Sequence, residues 1–273
     1  MKENNIKKIA THKGLFHADE ITAIALLEIF TDEKYQIDRF PHGWGDFDGY
    51  DFVIDIGREF DGKKFFDHHQ WRGGKSSAGL IWDYLGVAKD YPKLSRFIEM
   101  VDRQDTGGQK AGEFEYPNLI KLFNTIDVSD DKSSNENFLK ALEFAKMVIK
   151  SIKKEEDEIK EAKVIVEKSK KFDTFESIVE LKQFTPFWNH FINGTLRPEV
   201  DVVVWQDKKS KAYKAGVPPK EAGSFELWGE PFKKDGMMEF VHPVGFFAVA
   251  KDKKTMKKYL KKHLKGERDV KTD

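Results

Sequence analysis

"KKFFDHHQWRGGKSSAGLIWDYLG" (63–86) changes character twice along its length. Phe65 and Phe66 close a short apolar run with strand character, "KKFFDHH" (63–69). A glycine-lysine-serine loop follows. Then "SSAGLIWDYLG" (76–86) starts on serines suited to N-capping and ends on a glycine suited to C-capping, so it reads as a helix. The unit is therefore strand, loop, helix, with Asp67, His68 and His69 at the strand's end. Two of the chain's eight histidines stand side by side there. Whether they do chemistry depends on what else reaches the same place.

Upstream, "KKIATH" (7–12) is a second strand-like run, ending on His12. "KGLFHADE" leads from it into "ITAIALLEIF" (21–30), a mostly buried helix with Asp19 or Glu20 near its positive end. "YDFVIDIG" (50–57) reads as a buried strand stopped by Gly57, and "PKLSRFIEMVDRQDTGG" (92–108) as a helix running into a loop. Strands alternating with helices predict an α/β domain with a mainly parallel sheet flanked by helices over residues 1–130.

From Phe138 the periodicity changes. Phe138, Leu142, Ala145, Ile149, Ile152, Ile159, Ala162 and Val166 mark one long amphipathic helix, expected over 131–172 as a connector. Its intervening "KKEEDEIKEAK" is a solvated face. Beyond it, "SIVELKQF", "EVDVVVWQD", "KAYKAGVP" and "EFVHPVGFFAVA" look like strands, and a lysine-rich helix carrying Met256 and Leu260 closes the chain. A second, smaller α+β domain is expected over 173–273.

Composition excludes several classes. Cysteine is absent, which removes disulfides, iron–sulfur clusters and thiolate zinc sites and leaves any metal to histidine and carboxylate. That usage fits a cytoplasmic protein. No apolar run is long enough for a membrane span, and "MKENNIKKIATHKG" lacks the apolar core of a signal peptide. The 47 basic and 47 acidic residues cancel, so only a local patch could attract nucleic acid.

Four polar clusters fall on connections of the first domain: His12, His17 and Asp19; Asp55; Asp67, His68 and His69; Asp102 and Asp105. In an open parallel sheet the carboxyl ends of the strands face one ligand crevice. A buried strand ending in "VID" is a poor place for an unpaired carboxylate, and a cation would resolve that cost. Imidazole with carboxylate suits Mn, Fe, Co or Zn, and so many groups exceed the needs of one ion. Two ions sharing a carboxylate would polarise a phosphoryl group and acidify water. Taken singly, Asp19 also suits a helix cap, Asp55 a strand-end turn, and Asp105 an Asx turn before "GG".

"THKGLFHADE", "DIGREFDGKKFFDHHQ", "SSAGLIW", "VDRQDTGG" and "FVHPVGFFAVA" together resemble the DHH phosphoesterase superfamily, and within it the melanocyte proliferating gene one family, which has exonuclease members. The match runs from residue 11 to about 250 of the sequence. The resemblance implies two Mn²⁺ ions, with Mg²⁺ or another divalent metal as substitutes, and a C-terminal domain that binds substrate. It implies that His12, His17 and Asp55 hold one ion, and that Asp19, Asp55, His68 and Asp105 or Asp102 hold the other. His69 would face the scissile phosphate, and Asp67 would orient its histidine neighbours. Histidine at position 17 departs from many superfamily members, which have aspartate there. Lys75, Ser76 and Ser77 would approach phosphate at a helix N-terminus, and His242 would contact substrate from the second domain.

The expected function is a metal-dependent phosphoesterase, foremost a 3′–5′ exonuclease on RNA, with DNA as a further substrate. The alternatives are hydrolysis of a dinucleotide or pyrophosphate, or metal-stabilised binding without turnover. Trp188, Trp205 and Trp228 could stack bases, or belong to the core.

Overall fold

The computed structural model describes residues 6–42, 45–71, 73–127, 129–192, 196–197, 199–220, 226–227 and 229–263. The chain divides into two compact units, Met1–Glu156 and Asp157–Asp273, the boundary falling within the long helix α5 (Asp131–Glu167).

The first unit runs β1 (Lys8–His12), α1 (Ala18–Thr31), β2 (Gln36–Phe40), β3 (Phe52–Ile54), β4 (Phe65–Phe66), α2 (Ser77–Leu85), α3 (Pro92–Asp105) and α4 (Tyr116–Lys121). Its four strands lie in the order β2-β1-β3-β4, and every pairing is parallel. Ile9 is in register with Ile37 on one side and Phe52 on the other, and Val53 with Phe65. Chain order reverses at β1, which has β2 on one flank and β3 on the other. That switch point opens a crevice at the carboxyl ends of the strands.

Helix α1 decides what enters the crevice. Every residue from Ala18 to Leu27 is buried, because the helix is apolar nearly all round and must be covered on all faces. Ile21, Ile24, Leu26 and Leu27 are fully buried, at about 1.5–3 kcal/mol each. Their burial takes Asp19 and Glu20 with them, both 0% exposed. Charges so placed must find partners.

The sequence reading missed β2 and α4. The strand "QIDRF" is a half-buried edge with one weak alternation, and α4 is six residues opening near Pro117, too short for a helical period. The strand expected over 63–69 contracts to Phe65–Phe66, which leaves Asp67, His68 and His69 in the loop beyond it.

The second unit contains β5 (Lys170–Lys171), β6 (Ile178–Leu181), β7 (Val202–Gln206), β8 (Tyr213–Gly216), β9 (Phe240–Val241), β10 (Phe247–Ala250) and α6 (Lys253–His263). The sheet order is β5-β6-β7-β8-β10-β9, antiparallel except for the parallel β6–β7 pair. The run "EFVHPVGFFAVA" folds as a hairpin rather than one strand. Gly245 takes φ +83 in its turn, where an added Cβ would lie 2.6 Å from Pro231. Trp205 is buried against Phe184 and Phe247, so it is core; Trp188 is partly buried beside it. Trp228 lies outside the described residues. Among the described residues, no helix is long and apolar enough to cross a membrane.

Candidate metal centre

Asp55 follows β3 with φ 55, a left-handed backbone that few residues other than glycine, asparagine and aspartate adopt. It is 3% exposed, and its carboxylate lies between two histidines. Oδ2 is 3.3 Å from His12 Nε2 on the neighbouring strand, and Oδ1 is 3.4 Å from His68 Nε2 beyond β4. The sharp reversal after a parallel strand brings this about, since an extended continuation would carry the side chain onward.

His12 Nδ1 faces the backbone carbonyl of Lys13 at 3.0 Å, which assigns the proton to Nδ1 and leaves Nε2 for the interior. There Nε2 meets Glu20 Oε1 at 3.0 Å as well as Asp55. Burial opposes a charge on His12, but Glu20 and Asp55 outweigh it and push its pKa up to about 11. Glu20 also accepts the His17 backbone N–H at 3.0 Å, so the first turn of α1 aims it inward. The His42 ring stacks on His12, with centroids 4.5 Å apart and planes 23° apart.

His68 Nε2 meets a denser arrangement. It lies 2.9 Å from Asp105 Oδ2, 3.4 Å from Asp55 Oδ1 and 3.5 Å from Asp19 Oδ2, yet none of these is aligned as a hydrogen bond. Burial works against its protonation, and Asp105, Asp55 and Asp19 overcome it, lifting its pKa to about 11. Burial raises Asp19 well above the usual carboxylate range, and Asp55 and Asp105 add to the effect. Asp55 is driven the other way: burial alone would raise it, but the nearby His12 and His68 imidazoles hold it far below.

Asp67 is buried and accepts the backbone N–H groups of Arg58 at 2.7 Å and His69 at 2.9 Å. His69 Nδ1 lies 2.8 Å from the same carboxylate, and that bond raises the His69 pKa. The His69 side chain is half exposed, with Nε2 left for whatever enters.

The nominated phosphate contacts are arranged differently. Asp102 accepts the N–H and hydroxyl of Ser76, and Asp19 accepts the N–H groups of Ser77 and Ala78 at 3.1 and 2.6 Å. The start of α2 is thus occupied by carboxylates that burial forces to find donors, and it does not offer those N–H groups to a ligand. Ser77 Oγ turns to Asp55 at 3.4 Å, and Lys75 pairs with Asp83 at 2.5 Å. His242, in the second unit, accepts the Val244 N–H at 3.2 Å and packs on Phe246, serving its hairpin turn. On α6, Lys253 pairs with Glu180, Lys257 and Lys261 with Asp173, and Lys262 with Asp235.

Among the described residues, three groups have donor atoms close enough to share an ion: His12, His17, Glu20 and Asp55; Asp55, His68 and His69; and Asp19, His68 and Asp105. Asp102 belongs to none of them. The donors fit a divalent cation, since a buried imidazole nitrogen with no hydrogen-bond partner faces three carboxylates. Glu20 and His42 were missed as site residues. Glu20 resembled an ordinary first-turn acid, and His42 follows a proline after a strand that was itself unrecognised. A cavity of about 350 Å³ opens over the last two groups, lined also by Val101, Gln104, Pro117 and Lys121.

The fold and these side chains define an α/β protein with a candidate divalent-metal centre at the carboxyl edge of a parallel sheet. A family model described as MYG1_exonuc, Uncharacterised protein family (UPF0160), matches residues 8–89. The MYG1 protein of Saccharomyces cerevisiae is 27% identical over 92% of this chain and 93% of its own. The MYG1 protein of Chlamydia trachomatis is 34% identical over 51% of each, and the MYG1 exonuclease of Homo sapiens 31% identical over 40% of this chain and 38% of its own. The chain thus spans about half or less of the chlamydial and human relatives. The chain is thus similar to proteins of the MYG1 family. No solved structure gives a significant match.

Proposed function

We propose that the chain is a metal-dependent phosphodiesterase, a 3′–5′ exonuclease on RNA that uses two divalent ions, with Mn²⁺ best suited to the mixed donors. The observation that carries this reading is the sharing of Asp55 and His68 among the three donor groups. Adjacent ligand sets joined by one carboxylate are what a two-ion phosphoryl displacement requires. Relatives named MYG1 exonuclease support nucleic acid as the substrate. The wider group we propose is the DHH phosphoesterase superfamily, and the cysteine-free chain fits a cytoplasmic setting.

His12, His17, Glu20 and Asp55 would hold one ion, and Asp19, Asp55, His68 and Asp105 the other. When bound, the ions neutralise phosphoryl charge and lower the pKa of water from about 15.7 towards 7. His69, whose pKa the Asp67 carboxylate raises, presents Nε2 to the substrate. Water adds to phosphorus, the P–O bond to the leaving nucleotide breaks, and His69 gives its proton to the leaving oxygen. The proton lost by the water passes to solvent. Residues 173–273 would contribute substrate binding.

Hydrolysis of a dinucleotide or pyrophosphate is the second reading, favoured by a cavity at the small end of ligand pockets. The test is a time course on end-labelled short RNA with Mn²⁺ or EDTA, with both small phosphates in parallel and His68→Ala and Asp55→Ala as controls. Stepwise loss from the 3′ end that needs Mn²⁺ and both residues is the expected result. Intact RNA beside a consumed small phosphate moves the function to the second reading. Tight metal binding with no turnover of any substrate leaves a metal-stabilised binding protein.

A further inference from the structure

A cavity that receives a phosphate gains from a cationic side chain beside its ions and histidines, and the lysines nearest the strand-end loops are already engaged. Lys13 lies 2.6 Å from Asp131, and Lys75 2.5 Å from Asp83. Lys121 differs. It lines the same cavity as Asp19, Asp55, His68, His69 and Asp105, and its ammonium has no carboxylate partner among the described residues.

Its backbone is held on both sides. Tyr116, at the start of α4, is buried and bonds through its hydroxyl to Thr22 Oγ1 of α1 at 2.9 Å. Ile120, immediately before Lys121, is fully buried. Three residues later, Asn124 accepts the Phe16 N–H at 3.0 Å and donates to the Phe16 carbonyl at 2.9 Å. A lysine fixed at its root on a short helix that lines the cavity carries a charge within reach of it. Lys121 is exposed, so its ammonium can turn to an anion that enters the cavity without first giving up an internal partner.

We propose that Lys121 is a substrate-binding residue that receives a non-bridging phosphate oxygen in the cavity beside His69. The proposal rests on the phosphodiesterase reading for its substrate, but the recognition it describes is of phosphate itself.

The experiment has two arms on the Mn²⁺-loaded protein, using Lys121→Met, Lys121→Arg and, as a surface control, Lys89→Met. Titration with inorganic phosphate at low salt is expected to show affinity weakened roughly tenfold in Lys121→Met and largely restored in Lys121→Arg. Steady-state RNA hydrolysis is expected to show KM raised roughly tenfold or more in Lys121→Met, with kcat changed much less. Phosphate affinity within about twofold of wild type in a folded Lys121→Met protein overturns the proposal. Failure of the wild-type protein to cleave RNA overturns the exonuclease reading instead, and the phosphate titration still decides Lys121.

Discussion

The carboxylate of Asp102 accepts the Ser76 backbone N–H at 3.0 Å and the Ser76 hydroxyl at 2.8 Å, tying the end of α3 to the start of α2. One helical turn later, Asp105 faces His68. Two aspartates on one helix face thus hold one helix to another and join a candidate ion site, respectively. Asp102→Ala is expected to cost about 1–3 kcal/mol in urea unfolding, because the Ser76 donors lose a buried partner. Asp105→Asn is expected to change metal-free stability less than Asp102→Ala, because the lost attraction to protonated His68 is offset by relief of the repulsion on Asp19. It should lower the bound Mn²⁺ measured by equilibrium dialysis. The reverse pattern would exchange their roles.

Gly79 lies under the Asp102 carboxylate, where a Cβ would come 2.4 Å from Oδ2. Gly79→Ala is expected to destabilise by about 1–3 kcal/mol in urea, by displacing the acid from Ser76. An unchanged midpoint would mean the carboxylate can move aside without cost.

His12 and His68, each pushed up to about 11, should stay protonated at neutral pH in metal-free protein. A folded pKa above the ordinary histidine value of about 6.5 contributes stability that is full below 6.5 and is lost as pH rises towards 11. With EDTA, Tm is therefore expected to fall between pH 7 and 10. Metal must displace these protons, so Mn²⁺ affinity should rise with pH, with roughly two protons released per saturated centre near pH 7. Calorimetry in buffers of different ionisation enthalpy measures that release. Zero release would contradict the protonated pair.

Asp55 combines a shared carboxylate with φ 55. Asp55→Asn and Asp55→Ala should both abolish stoichiometric Mn²⁺ binding. Asparagine tolerates the left-handed backbone and alanine does not, so the alanine variant should be the less stable by about 1 kcal/mol. Urea unfolding in EDTA separates the backbone effect from the loss of ligand.

Arg39 donates to the His12 carbonyl at 3.1 Å, the Gly14 carbonyl at 2.9 Å and Ser134 Oγ at 3.0 Å, and lies over the Phe138 ring. A lysine cannot serve those acceptors from one planar fork. Arg39→Lys is expected to lower stability by about 1–3 kcal/mol and to weaken Mn²⁺ binding through His12, read by thermal shift with and without the ion.

The order of strands and helices in the first unit was legible because local signals coincide there: apolar runs, the serine start and glycine end of α2, and acids and histidines at strand ends. Local pattern placed Asp55 and His68 on connections, and the parallel pairing of β1, β3 and β4 brought those connections to one edge. The sequence could not separate Asp102 from Asp105, because both lie in α3's last turn and differ only in what packs opposite them. Nor could it show that Glu20 reaches His12, or that the α2 N-terminus is filled by Asp19 and Asp102. Residue spacing along the chain determines which side chains share a strand end or a helix face. Which buried acid takes which donor was decided only in tertiary structure, because a carboxylate removed from water must bond to whatever donors the packing brings within reach.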